Sequence, residues 1–206
     1  MRAMVWDSKR RFFTTFLIAL FMLVKICAAQ APGALNPYKP LVDRLESIVS
    51  LPLDDWRYHA DVAHPEDSSL DDKEWPVVKT GEAWKTGPRV LRRRIEVPAA
   101  LHGYSLRGAR IRLELAVDSN DFVTVTVFSN GAMVSRTDAD TLQPIVLTEN
   151  AQPGDTFLVA IRIQAAENNT KISGSRLLIT PPANRPDPGI FIQEILAAQP
   201  MVAAFP

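Results

Sequence analysis

The 206-residue sequence is 47% hydrophobic and 22% charged, and its 23 basic and 23 acidic side chains cancel. A chain of this length and composition can bury one sizeable core, which excludes an intrinsically disordered protein. Residues 1–29 carry five of the basic side chains and one of the acidic ones, so the remainder holds 18 against 22, a formal charge of −4. This mildly acidic body argues against a nucleic-acid partner, which requires clustered cations.

Residues 1–29 have the order of a secretory signal peptide. In RRFFTTFLIALFMLVKICAAQ, basic residues precede an apolar run over residues 12–24, and small residues follow it. We expect cleavage after Ala29 or Ala31, export to the periplasm or the extracellular space, and no membrane attachment of the mature protein. The alternative is an uncleaved anchor, but the apolar run is shorter than the roughly 20 residues that span a bilayer, and Lys25 interrupts its end.

Residues 30–52 are predicted to form a linker and a short amphipathic helix. The proline-rich stretch APGALNPYKP is followed by LVDRLESIVSL, in which apolar residues recur at helical spacing. Pro40 suits the first turn of a helix. We expect this helix to pack on a neighbouring domain.

Residues 53–182 show the pattern of an all-β domain, an antiparallel β-sandwich or jelly roll. Residues 53–74 are acidic and lack periodicity, which predicts a loop with one short strand near residues 56–59. About seven or eight short strands then follow at fairly regular spacing without intervening helices. A barrel fits the same pattern.

The strand RVLRRRIEV illustrates the predicted alternation. Successive side chains of a strand point to opposite faces, so Arg92 and Arg94 share one face and Arg93 lies on the other. The sequence therefore predicts that the three arginines do not form one basic patch. The next strand, ARIRLELAV, alternates more cleanly, with Ile111, Leu113, Leu115 and Val117 facing the core.

A tight hairpin is predicted at FVTVTVFSNGAMV. Asn130 and Gly131 both tolerate the positive φ of a type I′ turn, so a two-residue loop is expected. The predicted pairs are Ser129 with Ala132, Phe128 with Met133, and Val127 with Val134.

Residues 183–206 are predicted to form a helical linker toward a missing downstream domain. Ile192, Ile195 and Leu196 have helical spacing, and the chain then runs apolar to its last residue. Because an exposed apolar stretch needs something to cover it, we expect a longer native chain.

Motifs for catalysis or metal binding are sparse, and no catalytic or metal-binding residue is predicted. His59 and His64 are five residues apart in a segment without helical pattern, so they form no zinc-binding pair. GYSLRG lacks the glycine that a nucleophile elbow requires two residues after Ser105. DSND begins like a calcium loop, but Phe122 stands at the next ligand position and Val123 replaces the required glycine.

Neither cysteine nor carboxylate chemistry adds a site. Cys27 is the only cysteine and lies in the predicted signal peptide, so the mature protein would have no thiol, disulfide or cysteine-bound metal. A glycosidase needs two carboxylates opposed across a sugar. The carboxylates of the loop form adjacent pairs that are expected to be solvated, and none is assigned a catalytic role: Asp54, Asp55, Asp71 and Asp72.

Aromatic side chains are the remaining candidates for a binding site. Sugars stack their apolar faces on exposed aromatic rings, and Trp75, Trp84 and Tyr104 lie in or near predicted loops. We interpret these three as candidate carbohydrate contacts and glycans as a candidate partner. The alternative is that the tryptophans pin loops onto the sandwich core.

Several motifs occur in an order that resembles the galactose-binding-like N-terminal jelly roll of glycoside hydrolases. They are EWPVVKTGEAWKTGPRVLRRRIEVPAALHGYSLRGARIRLELAV, then VTVFSNGAMV, then AQPGDTFLVAIRI. More narrowly, WRYHADVAHPEDSSLDDKEWPVVK with LQPIVLTENAQPGD is similar to the leading region of exported bacterial family 38 α-mannosidases. The resemblance covers about residues 53–198.

The resemblance implies a non-catalytic accessory module of an exported α-mannosidase. It implies that the aspartate nucleophile and a metal ion, usually zinc, belong to a downstream catalytic domain of the same polypeptide, so no cofactor is expected in this chain. A different class of protein remains open, a free-standing exported carbohydrate-binding or adhesion protein. A third possibility is a purely structural spacer.

Overall fold

The computed structural model describes residues 37–120, 122–164 and 167–204. The predicted signal peptide, residues 1–29, and the first part of the predicted linker lie outside these ranges. The chain divides into two units, Met1–Lys39 and Pro40–Pro206, and nearly all described residues belong to the second.

Within the described ranges, thirteen strands are flanked by two α-helices. The helices are α1 (Lys39–Val49) and α2 (Pro188–Ala204), and a short 3₁₀ turn spans Ala139–Thr141. The strands are β1 (Ser50–Pro52), β2 (Asp55–His59), β3 (Val77–Lys79), β4 (Ala83–Thr86), β5 (Arg89–Glu96), β6 (Ala100–Leu101), β7 (Tyr104–Ser105), β8 (Arg110–Asp118), β9 (Thr124–Ser129), β10 (Ala132–Asp138), β11 (Ile145–Thr148), β12 (Thr156–Gln164) and β13 (Glu167–Thr180).

The strands form two antiparallel sheets packed as a sandwich. The six-stranded sheet has the order β10-β9-β12-β5-β2-β3, and the five-stranded sheet has the order β1-β13-β8-β11 with β4 also paired to β13. Strands β6 and β7 form a separate small hairpin. The predicted all-β sandwich with short flanking helices is thus confirmed, and because the sheets are separate, the barrel alternative is wrong.

The core lies between the inner faces of the two sheets. Ile111, Leu113, Leu115 and Val117 of β8 are all buried there, as their alternation predicts. Trp56 of β2 is buried in the same core, and its Nε1 donates a hydrogen bond of 3.2 Å to Ser175 Oγ on the opposite sheet. The indole nitrogen is therefore satisfied inside the sandwich, as a buried donor requires.

The hairpin of β9 and β10 has the predicted turn but only part of the predicted register. Asn130 and Gly131 have φ values of 49° and 85°, and the first two predicted residue pairs form. The third prediction is wrong, because Val127 pairs with Ser135 and a bulge leaves Val134 as an extra residue. Val134 is 43% exposed, whereas Val127 is fully buried.

The structure has more strands than the seven or eight predicted. The additional ones are the short strands β1, β3, β4, β6 and β7, which contain too few residues for an alternating pattern to appear. Strand β13 also includes the mostly polar residues that precede SRLLIT, because this first half of the strand pairs with β4 and with β8. Pairing with a neighbouring strand thus overrides weak local propensity.

Both helices begin where local chemistry favours it. Pro40 lies in the first turn of α1, as predicted. At α2, Asp187 Oδ1 accepts a hydrogen bond of 2.8 Å from Gly189 N, and Pro188 is the first helical residue. Among the described residues, neither helix is long and apolar enough to cross a membrane.

Candidate functional site

A long loop, residues 60–76, lies against the outer face of the six-stranded sheet. Arginine side chains on the strands of the sheet donate hydrogen bonds to this loop. Arg57 on β2 donates to the carbonyl oxygens of Lys73 and Trp75. Arg162 on β12 donates to the carbonyl oxygens of Val62 and Ala63 and lies 3.7 Å from Asp61 Oδ1. Strands β2 and β12 therefore both donate hydrogen bonds to the backbone of the loop.

Arg92 on β5 is the most deeply buried of these arginines. Its side chain is 0% exposed, its Nη2 donates to Asp67 O at 3.0 Å, and its Nε lies 3.1 Å from Asp72 Oδ2. The Nε contact is an ion pair without hydrogen-bond alignment, and within the described ranges Nη1 has no hydrogen-bond partner. A fully buried guanidinium is thus only partly satisfied.

The surroundings of Arg92 shift its pKa in opposite directions. Burial is the main cause that lowers the pKa of Arg92, because desolvation disfavours the charged form. The carboxylates of Asp72 and Asp67 raise that pKa, and the neighbouring cation Arg94 lowers it further. The site therefore holds two nearby positive charges, one of them removed from water.

Arg92, Arg94 and Asp72 line a cavity of about 540 Å³ together with seven other residues. Five lining residues are cationic, three are acidic and two are apolar. They are Arg57, Lys73, Arg92, Arg93 and Arg94; Asp55, Asp71 and Asp72; and Leu70 and Val77.

The position of Arg93 contradicts the prediction that the three arginines do not form one patch. Strand β2 pairs with β5 only as far as Arg92, so the edge of β5 beyond that residue has no β2 partner. There Arg93 donates to the carbonyl oxygen of Asp55 and reaches the same cavity as Arg92 and Arg94. Alternation describes where Cβ points, but it does not limit where a long side chain ends.

Trp75, the first candidate carbohydrate contact, lies at the end of the loop and is half-buried. Its ring centroid is 5.0 Å from that of His59, and the guanidinium carbon of Arg92 lies 5.8 Å from its centroid. The cation–π geometry places Trp75 beside the buried arginine.

Trp84 and Tyr104 lie in other surroundings. Trp84 is opposite Thr170 in the five-stranded sheet, packs against the core and lines a second cavity of about 160 Å³. Tyr104 donates a hydrogen bond of 2.7 Å to Pro186 O, and Arg185 lies over its ring at 5.5 Å. Burial raises the pKa of Tyr104, opposed by the positive charge of Arg185. The structure does not bring the three aromatic residues to one surface, and their role as sugar contacts stays a prediction.

The other residues considered from the sequence have structural contacts. His64 pairs with Glu66 at 3.3 Å, and Ser105 Oγ accepts a hydrogen bond from Arg107 N. Asp118 accepts a hydrogen bond of 2.8 Å from Ser173 Oγ. In the part of the chain that the structure describes, no group of three or more histidine, cysteine or acidic residues is arranged to hold a metal ion.

The arginine contacts were missed by sequence reasoning, although a signal was present. Arginines at outward positions of the strands coincide with a loop that is rich in acidic residues, and charge complementarity between the two could have been proposed. The hydrogen bonds go mainly to loop carbonyl oxygens, which every residue has. Residue type therefore could not show which loop positions accept them.

The sandwich fold also occurs in known proteins. No protein-family model matches the sequence. No protein of curated function matches it either. Solved structures do share the fold, and three of them are glycoside hydrolases from Bacteroides species.

A family 2 glycosyl hydrolase from Bacteroides cellulosilyticus has a TM-score of 0.51 and 19% identity, over 64% of this chain and 21% of that one. A calcium-binding mutant of β-glucuronidase 2 from Bacteroides uniformis has a TM-score of 0.52 and 16% identity, over 64% and 18%. A Bacteroides uniformis β-glucuronidase has a TM-score of 0.50 and 15% identity, over the same shares. The chain spans about a fifth of the length of these structures.

The shared feature is the sandwich fold of one segment of family 2 glycoside hydrolases. The resemblance to family 38 α-mannosidases finds no support in these structures. The sequence motifs that carried it include the Pro-Gly-Asp turn of LQPIVLTENAQPGD, and such turns recur wherever antiparallel strands are joined by tight turns. Such motifs indicate a sandwich but do not separate one glycosidase family from another.

Proposed function

We propose that this chain is a non-catalytic sandwich module of an exported glycoside hydrolase. The observation that carries the proposal is the fold shared with about a fifth of a family 2 enzyme. The module packs beside a catalytic domain of the same polypeptide, and any catalytic carboxylates or zinc ion belong to that domain. Substrate chemistry is then a property of the parent enzyme.

Exposed apolar side chains on α2 support a role in contacts between domains. Ile190, Phe191 and Leu196 are about half exposed, while Ile192 and Ile195 are half-buried. Apolar side chains on more than one side of a single helix are typical of a segment that packs on two surfaces. In this proposal α2 contacts the catalytic domain as well as the sandwich.

The test is the size and activity of the native protein. An antibody against residues 53–182 should detect a protein several-fold larger than the roughly 20 kDa expected after signal cleavage. The immunopurified protein should hydrolyse a chromogenic glycoside. A β-glucuronide substrate tests the activity of two of the structural neighbours, and an α-mannoside tests the activity inferred from the sequence resemblance. An unrelated antibody of the same class is the control.

A native band of the small mass would contradict the module proposal. It would favour the second candidate, a free-standing exported carbohydrate-binding or adhesion protein, for which the cavity of about 540 Å³ is the supporting observation. That candidate predicts glycan binding by residues 30–206, weakened by Trp75→Ala or Trp84→Ala. Arrays of neutral and acidic glycans would measure it.

A further inference from the structure

We infer that the arginine-lined cavity binds a carboxylate carried by a sugar-sized ligand, that is, an acidic monosaccharide unit. The anion site is inferred from the geometry of this chain. The choice of a sugar as the carrier of the carboxylate rests on the proposed function.

The first supporting feature is the incomplete hydrogen bonding of Arg92. Nearly all buried polar groups in folded proteins have partners, so a buried guanidinium with a free donor requires an explanation. Within the described ranges, Nη1 of Arg92 lacks a partner, and Arg92 lines the cavity. A ligand oxygen in the cavity would supply the missing acceptor.

The second feature is the balance of charge. Five cations face three carboxylates, and two of the carboxylates are already engaged. Asp72 pairs with Arg92, and Asp71 Oδ1 accepts a hydrogen bond of 3.1 Å from Lys73 N. Arg94 is exposed, and among the described residues no carboxylate lies within ion-pair distance of it. The residues that line the cavity thus carry two more positive than negative formal charges, next to a desolvated cation, and this excess favours an anion.

The third feature is the shape of the donors and the size of the space. Guanidinium groups present paired N–H donors whose geometry matches a planar carboxylate, and the resulting hydrogen bonds are charge-assisted. A volume of about 540 Å³ accommodates more than a bare ion. Leu70 and Val77 form an apolar part of the cavity wall that suits the ring of a sugar. Asp71 offers a hydrogen-bond acceptor that suits its hydroxyl groups.

The test is binding of small probes to the purified full chain by isothermal titration calorimetry. Sodium D-glucuronate is the probe, and D-glucose is the matched control because it has the same ring without the carboxylate. Acetate and sulfate test whether a simple anion suffices, and calcium tests whether the acidic residues dominate. We expect saturable binding of glucuronate that weakens as salt is added, since screening reduces charge attraction.

Two arginine variants on the same sheet locate the binding. Arg94→Ala removes a cavity cation that makes no hydrogen bond or ion pair with the loop in the described part of the chain. We expect glucuronate to bind about tenfold more weakly, the loss for one charge-assisted interaction. Arg136→Ala removes an exposed arginine of β10 that does not line the cavity, and affinity should not change. Thermal unfolding checks that both variants fold. Arg94→Lys should recover only part of the affinity, because the ammonium lacks the paired donors.

Several results would overturn the inference. These are absence of saturable glucuronate binding, equal binding of glucose, binding of acetate or sulfate as tight as glucuronate, preference for calcium, or equal loss in both alanine variants. The outcome is separable from that of the proposed function. A large native glycosidase without glucuronate binding would overturn the site alone, whereas glucuronate binding by a native protein of small mass would overturn the module alone.

Discussion

The two faces of the six-stranded sheet are stabilised by different physical means. On the inner face, Leu91, Val127 and Ile161 are fully buried among apolar neighbours of the opposite sheet. On the outer face, Arg57 and Arg92 donate hydrogen bonds to the backbone of an acidic loop. The inner face is held by non-directional burial, and the outer face by directional contacts that each need a particular donor and acceptor.

This difference indicates where the molecule tolerates change. Apolar burial is proportional to area, so many side chains of suitable size can serve on the inner face. A guanidinium that crosses to a loop carbonyl has no substitute of equal reach and donor geometry. The outer face is therefore the more specific of the two in the side chains that it accepts.

The largest expected effect is on the inner face. Ile161→Ala should lower the free energy of unfolding by about 2–5 kcal/mol, because it removes a buried side chain and leaves a cavity. Chemical denaturation measures this value. The matched control, Ile161→Val, should cost about 0.5–1.5 kcal/mol. Equal losses in the two variants would contradict a densely packed core at this position.

On the outer face, Arg92→Met should lower the free energy of unfolding by about 1–3 kcal/mol, since it leaves Asp72 without its ion-pair partner and the Asp67 carbonyl without its hydrogen-bond donor. Limited proteolysis should also cleave residues 60–76 faster than in the native chain, because the loop loses an attachment to the sheet. Arg136→Met, at an exposed position of the same sheet, should leave both stability and cleavage unchanged. An unchanged cleavage rate in Arg92→Met would show that the loop is held by other contacts.

A smaller effect is expected at the hairpin turn, which belongs to neither face. Gly131 has φ +85°, and among the described residues no atom beyond its chain neighbours lies within 4 Å of the position of an added Cβ. Gly131→Ala should therefore cost about 1 kcal/mol from backbone conformation alone.

The matched control for the turn is Gly174→Ala. Gly174 lies in β13 without a positive φ, and an added Cβ would meet Ala116 Cβ at an ordinary 3.5 Å. This change should be tolerated or slightly stabilising. If both variants lost stability equally in thermal unfolding, turn conformation would not be the cause.

The smallest expected effect is a dependence of stability on pH that arises from Asp67 in the loop. Hydrogen bonds from Ser69 N and Ser69 Oγ lower the pKa of Asp67 below its usual 3.8. The folded chain therefore holds this proton more weakly than the unfolded chain, so the stabilisation exists above pH 3.8 and disappears as the pH falls through the folded pKa.

Asp67→Asn provides the comparison for that effect. The native chain should be slightly more stable than the variant near neutral pH, and the difference should vanish in acid. Because Asp67 is solvent-exposed, the effect is screened and small. A difference that grew as the pH fell would contradict the direction of the pKa shift.

The fold was predictable where a pattern reports directly on burial. Alternation in β8 identified its inward side, and the Asn-Gly dipeptide identified the turn between β9 and β10. The register was predictable for only two pairs, because the bulge at Val134 depends on how β10 pairs along its whole length. The propensities of neighbouring residues do not determine that pairing.

The candidate site was predictable only in its components. The sequence by itself determined an apolar sandwich core, its tight turns and the acidic character of residues 53–74, since each follows from periodicity or composition. Only the tertiary structure decided that Arg92, Arg93 and Arg94 line one cavity with Asp72, and that the loop accepts hydrogen bonds through its carbonyl oxygens. The physical reason is that strand ends, long side chains and backbone acceptors meet through pairings between segments far apart in the chain, which no local pattern encodes.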